Sequence, residues 1–158
     1  MTTYVRVASL LFAGLFAGFL TAVLVLESSL RGADGTVYTQ VRLVELDSLD
    51  KLAVATLLPA LITTAVLAYR TLRTNTRWPT MGAVTLLVLV VALTITVNLP
   101  INADQLHWNT VSPPADWADV RDRWQLAHAA RTAAAVLAFA LLVFAPQARA
   151  TRPATTAG

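Results

Sequence analysis

Four long apolar runs dominate the chain, at residues 5–26, 52–69, 81–101 and 126–145, and polar residues return between them. The first run holds one charge, Arg6, at its start. The second and third hold none, and the fourth holds His128 and Arg131 within its first turns. About 20 helical residues at 1.5 Å rise cross a hydrocarbon core of about 30 Å. Backbone groups in lipid must bond within their own segment, so these runs predict helices. The expected fold is an all-α membrane protein, a four-transmembrane-helix bundle forming one domain over residues 1–150, followed by a small, polar, disordered tail at 151–158. The first run is too long, and too poorly followed by a cleavage site, to read as a removed signal peptide, so it is expected to stay as a span. No internal repeat is visible.

The intervening segments carry patterns of their own. Residues 27–51 begin with the turn-like Leu30-Arg31-Gly32-Ala33-Asp34-Gly35. Beyond it Val37, Val41 and Val44 fit a helical stripe, while Val37, Thr39, Val41 and Leu43 fit a strand. A lone strand would have no partner, so a helix lying on the outer surface and leading through Ser48 or Asp50 into the second span is expected. The third span is expected to end in Asn98-Leu99-Pro100-Ile101-Asn102, and Pro113-Pro114 to break the loop after it. Ala115-Asp116 then starts a helix that runs into the fourth span. On that helix Trp117, Arg121, Trp124, His128 and Arg131 fall at i, i+4, i+7, i+11 and i+14, one continuous face. It is aromatic and cationic, so it should point into the bundle or a polar cavity rather than to lipid. Gly14 and Gly18 form a small-xxx-small pattern that reads as tight packing inside the bundle. Pro59 removes one backbone bond from the second span and is expected to bend it.

Composition and charge narrow the class. Hydrophobic residues are 56% of the chain and charged ones 13%, with a mean hydropathy of +0.62. So small a soluble protein could not cover that much apolar surface, which excludes a cytosolic enzyme, a disordered regulator and a nucleic-acid binder. The absence of cysteine excludes disulfides, thiolate metal sites and a cysteine nucleophile. Lys51 is the one lysine among twelve basic residues, and with the abundant Ala and Val this fits a GC-rich bacterial genome. The pI near 10.0 is mostly a topology signal. Arg6, Arg70, Arg73, Arg77, Arg149 and Arg152 lie at the termini and between spans two and three. All nine acids (Glu27, Asp34, Glu45, Asp47, Asp50, Asp104, Asp116, Asp119 and Asp122) lie in the other two loops. The positive-inside rule then puts both termini in the cytoplasm of a bacterial cell and makes the protein multi-pass in its inner membrane. Tyr4, Tyr69 and Trp78 would anchor the inner interface, and Tyr38, Trp108, Trp117 and Trp124 the outer one.

The chemistry-bearing residues gather toward the outer face. Arg131 lies inside the fourth span, where a guanidinium needs a partner, water or a function; snorkelling to the interface is the structural alternative. His128 lies one turn earlier on the same face. Asn98 and Asn102, at i, i+4, would reach the fourth span at a similar depth, either as part of a site or as a network that fixes the bundle. Glu27, at the outer end of the first span, is close enough in height to pair with Arg131.

These residues carry a resemblance. Asn98-x-Pro100-x-Asn102, then Trp117, then Trp124-x-x-x-His128-x-x-Arg131, with Gly14 and Gly18 in the first span, resembles the anthrone oxygenase-like family of small four-span membrane proteins over about residues 5–145. The resemblance implies a monooxygenase of secondary metabolism that oxidises an anthrone to an anthraquinone with O₂ and no added cofactor. It maps onto Asn98, Asn102, Trp124, His128 and Arg131, and not onto Glu27, His107 or Trp108. In that reading His128 is the base that takes the acidic benzylic proton. Arg131, Asn98 and Asn102 stabilise the oxyanion. Trp117, Trp124, Arg121 and Trp108 hold a flat, hydrophobic aromatic substrate that arrives from the bilayer.

Two other readings stay open. His107, His128, Glu27 and Asp104 form a possible ligand set for copper or iron, or a haem-dependent oxidase. Alternatively the chain is a non-enzymatic membrane subunit or carrier whose polar cluster is structural, and transport would need a homo-oligomer.

Overall fold

The computed structural model describes residues 2–145. The predicted disordered tail, and Arg149 and Arg152 of the charge argument, lie outside the described residues. In chain order the elements are α1 (Thr2–Ser29), a short 3-10 turn (Leu30–Gly32), α2 (Gly35–Thr71), α3 (Arg77–Leu93), a π-helical turn (Thr94–Asn98), α4 (Leu99–Gln105) and α5 (Trp117–Phe144). No strand occurs among the described residues. The stretches Thr3–Gly32, Gly35–Thr71, Arg77–Gln105 and Trp117–Phe144 are each long and apolar enough to cross a membrane. The protein is therefore all-α with four candidate membrane helices, as the hydropathy pattern predicts.

The helices form a ring: α1 and α3 each pack along both α2 and α5. Phe16 and Leu20 of α1, Leu67 of α2, Leu87 and Val90 of α3 and Leu142 of α5 fill the core. Ala17, Ala60, Ala83, Ala135 and Ala138 lie among them, and their small side chains let the backbones approach. The Phe139 ring lies 3.1 Å from where a Cβ on Gly14 would stand, whereas Gly18 has nothing within 4 Å. The first glycine is thus a packing contact inside the bundle and the second is not. Gly14→Leu is expected to lower stability by about 1–3 kcal/mol through overpacking against Phe139. Gly18→Leu is expected to be tolerated. Thermal melting in detergent checks both.

Two sequence expectations need correction here. The segment at 36–49 is not a separate surface helix but the first part of a 37-residue helix that continues into the second span. Asp34 starts it, accepting a hydrogen bond from the Val37 backbone N–H at 2.9 Å. Its buried stripe is Tyr38, Thr39, Arg42, Glu45 and Leu46, at helical spacing, while Val37 and Val44 are exposed. The polar face, not the valine face, is turned inward.

The third span does not end within residues 98–102 either. Pro100 has no N–H, and its ring would clash with the carbonyl four residues back in a regular α-helix. The π turn at Thr94–Asn98 takes up this misfit, and Pro100 falls in the first turn of α4. The helix runs on to Gln105, so Asn98 and Asn102 are both buried in the bundle. After Pro113-Pro114, α5 begins at Trp117 behind Asp116, as the sequence predicts.

The two ends of the bundle differ in character. At one end Arg6 Nη2 donates to the Ala145 carbonyl at 3.0 Å, and the Thr71 and Thr80 hydroxyls pair at 2.8 Å beside the turn into α3. The opposite end joins the C-terminal turns of α1, the first turns of α2, all of α4 and the start of α5. Its interior is polar.

Candidate functional site

The helical repeat of α5 stacks Trp124, His128 and Arg131 along one inward face. The indole of Trp124 and the His128 ring lie nearly parallel, with centroids 4.8 Å apart and an interplanar angle of 8°. Arg131 reaches His128 Nδ1 with Nε at 3.0 Å and with Nη2 at 2.8 Å. A guanidinium can only donate, so Nδ1 is the acceptor and Nε2 carries the ring proton. Nε2 then donates to the Leu20 carbonyl of α1 at 3.0 Å.

Both ring nitrogens are therefore occupied. This corrects the expectation that His128 is a general base, because it has no free lone pair to offer. Its role is to hold Arg131 in place, as one residue of α5 orienting another a turn away.

Arg131 is held on a second side by Thr94, the first residue of the π turn, whose Oγ1 accepts from Nη1 at 3.3 Å. No described carboxylate lies within ion-pair distance of Arg131. Glu27 does not pair with it as expected. Both terminal nitrogens keep a donor free, and the side chain lines a cavity of about 110 Å³.

Glu27 pairs instead with Arg42, which the sequence reading missed. Arg42 is 3% exposed and lies at the centre of the polar end. Its Nε donates to Gln105 Oε1 at 2.8 Å, Nη2 to Asn102 Oδ1 at 2.7 Å and Nη1 to Glu45 Oε2 at 2.7 Å. Glu27 Oε1 is 3.5 Å from the same Nη1, and Gln125 Nε2 donates to Glu27 Oε2 at 2.9 Å. Arg42 also lies over the Trp124 ring, 3.9 Å from its centroid. One side chain thus ties α1, α2, α4 and α5 together. Its signal was present in the sequence as Tyr38, Arg42 and Glu45 at i, i+4 and i+7, but it lay in a segment read as a surface helix.

The two asparagines both reach α5, but at Trp124, a turn or more nearer its start than the expected depth of His128 and Arg131. Asn102 Oδ1 accepts from the indole Nε1 at 2.7 Å, and Asn98 Nδ2 donates to the Trp124 backbone carbonyl at 3.4 Å. Asn102 lines the cavity, whereas Asn98 is buried behind it and does not. Asn98 is therefore corrected from an oxyanion donor to a support for the α5 backbone.

The apolar wall of the cavity comes mainly from Phe16, Phe19, Leu20 and Val23 of α1 and Leu57 of α2. The exposed members of its lining include Asp50 and Val54 on α2 and Leu99 on α4, so its mouth opens sideways between those elements.

Three residues expected to hold substrate are elsewhere. Trp117 packs on Tyr38 with ring centroids 5.7 Å apart, under the Arg121 guanidinium at 4.9 Å. Trp108 joins the same cluster and donates from Nε1 to Asp104 Oδ2 at 3.1 Å. Trp117 shares a face with Trp124, but seven residues at 1.5 Å separate them by about 10 Å along the axis. Trp108, Trp117 and Arg121 thus clamp the start of α2 and leave Trp124 as the only tryptophan in the cavity lining among the described residues. Trp117→Ala is expected to lower stability by about 2 kcal/mol, less than a fully buried tryptophan would. Turnover per folded molecule should stay unchanged. Paired melting and activity measurements check this.

The metal-ligand set is not assembled. Glu27 and His128 are buried in the bundle, while Asp104 and His107 are exposed at the end of α4 and just after it. Among the described residues no three or more of His, Cys, Asp and Glu come together to hold a metal ion.

A family model described as anthrone oxygenase matches residues 51–141. No curated protein and no solved structure matches the chain. The matched stretch takes in Asn98, Asn102, Trp124, His128 and Arg131, and leaves out Glu27, Arg42 and Glu45.

Proposed function

The chain belongs to the anthrone oxygenase family, and on that premise we propose that it oxidises a flat, hydrophobic carbon acid of the anthrone or phenol type with O₂, in the cavity beside Arg131. The observation that carries this reading is a guanidinium facing a largely apolar cavity with free donors and, among the described residues, no carboxylate within ion-pair distance. Such a cation in a low-dielectric site is stabilised by an incoming anion. The anion of an anthrone is of that kind: loss of a benzylic proton makes the central ring aromatic and puts the charge on the carbonyl oxygen.

Arg131 pairs with that oxygen, fixed in direction by His128 and Thr94. Asn102 Nδ2, on the same lining, is a second donor. Donors already in place where charge develops lower the barrier without reorganisation. The electron-rich anion then passes electrons to O₂, so the proposed reaction uses no added cofactor. Phe16, Phe19 and Trp124 form the aromatic wall, in place of the outer tryptophans. In a bacterial inner membrane with the acid-rich end outward, a greasy substrate would arrive from the outer leaflet through the mouth between α2 and α4.

The test is oxygen uptake by the purified protein in detergent with a panel of anthrones and other phenolic carbon acids. The expected result is quinone formation matched one-to-one by O₂ consumed. Uptake no faster than in detergent alone, with every compound, contradicts the proposal.

A further inference from the structure

The anion at Arg131 leaves a proton behind, and His128 has no lone pair free to accept it. Two carboxylates line the cavity, Glu45 and Asp50. Asp50 is exposed at the mouth and receives Asn102 Nδ2 at 3.5 Å. Glu45 is 5% exposed. Arg42 fixes its Oε2, and its Oε1 is buried without a hydrogen-bond partner. Glu27 stands behind the same guanidinium, wholly buried, and its Oε1 also lacks a hydrogen bond. One cation therefore faces two carboxylates. With both carboxylates ionised the trio would carry one negative charge more than Arg42 balances, and a buried uncompensated charge is costly, so the trio favours taking up a proton. Across the cavity Arg131 carries the opposite surplus.

We propose that Glu45, with Glu27 as its positioning residue, accepts the substrate proton and returns it in the later steps. This rests on the proposed oxidation of a carbon acid. In the first step the C–H bond breaks, its electron pair delocalises onto the oxygen at Arg131, and the proton goes to Glu45 Oε1. The trio becomes neutral as the substrate becomes an anion beside Arg131, so the cavity stays charge-balanced. The carbanion then gives two electrons to O₂ as the C–O bond forms, and the resulting peroxide takes the proton back from Glu45. Glu45 next removes the second hydrogen of the same carbon as a proton. That C–H pair becomes the second bond of the new carbonyl, the O–O bond breaks, and the departing hydroxide takes the proton to become water. One O₂ converts one CH₂ to C=O and one water.

The test compares Glu45→Gln, Glu45→Asp and Asp50→Asn with the unaltered protein. It uses an anthrone and its analogue deuterated at the reacting carbon, and records oxygen uptake and thermal melting. Loss of a positioned proton acceptor lowers turnover about 100-fold or more. Glu45→Gln is expected to fall by that much while melting like the unaltered protein. Glu45→Asp should recover part of the rate with a larger deuterium isotope effect. Asp50→Asn, at the cavity mouth, should lose much less than Glu45→Gln and keep the isotope effect of the unaltered protein.

Near-normal turnover in Glu45→Gln, or the large loss in Asp50→Asn instead, overturns the assignment while leaving the oxidation intact. No anthrone-dependent uptake by the unaltered protein overturns the oxidation itself. Should Glu45→Gln fail to fold, Glu45→Asp decides, because an unchanged rate and isotope effect there rule Glu45 out.

Discussion

Replacing Arg131 with Gln is expected to lower turnover about 1000-fold and leave the protein folded. Removing a single preorganised oxyanion donor costs about 10²–10³ in rate, and this change removes a full positive charge together with the donors that face the cavity. Stability should behave in the opposite way. No described carboxylate pairs with Arg131, so its loss strands no buried counter-ion. Melting should be unchanged or raised, because a poorly compensated cation leaves the bundle. Arg131→Lys keeps the charge, but a single ammonium cannot reproduce the planar fork that holds His128 Nδ1 and the cavity at once. It should recover less than about a tenth of the rate. Oxygen uptake and melting, measured on the same preparations, separate these outcomes from a general loss of fold.

Arg42→Met should do the reverse and act first on stability. The change leaves the Glu27 and Glu45 carboxylates without their cation, and it strips a donor from Asn102 and Gln105. Breaking a buried ion pair from one side costs about 3–5 kcal/mol, because the remaining charge stays buried and unpaired. Melting in detergent should fall accordingly. Adding Glu27→Gln and Glu45→Gln to Arg42→Met removes the stranded charges, and should restore most of the melting temperature without restoring turnover. A triple variant as unstable as the single one would show that Arg42 acts through packing over Trp124 rather than through charge.

These contrasting expectations follow from how the two arginines are partnered, and the sequence disclosed only one of them. The four helices were legible because a membrane span is a matter of length and hydropathy. The row from Trp124 through His128 to Arg131 was legible because one uninterrupted helix carries it, and helical periodicity fixes a face. The asparagines' reach to α5 followed from antiparallel neighbours, although they meet it at Trp124 rather than at the depth of His128 and Arg131.

Arg42 and Glu45 were not legible because polar residues near a span end read as loop when hydropathy is averaged. The valines on the same segment suggested an apolar stripe facing inward. In a membrane bundle an apolar stripe can equally face lipid, and here the polar stripe is the buried one. The role of His128 was also beyond the sequence. It depends on a guanidinium at one ring nitrogen and a carbonyl of α1 at the other, the second of them 108 positions away along the chain. Trp117 misled for a geometric reason, since a shared helical face says nothing about height along the axis.

Whether the cavity stabilises a carbon-acid anion through Arg131 is tested most directly by mixing the protein with an anthrone under argon and recording the absorption spectrum. Without O₂ the reaction stops at the anion, whose extended aromatic system absorbs at longer wavelength than the neutral compound. The unaltered protein should show that band in proportion to protein added, and Arg131→Gln should show almost none. An absent band in the unaltered protein, or an equal one in Arg131→Gln, would contradict the account.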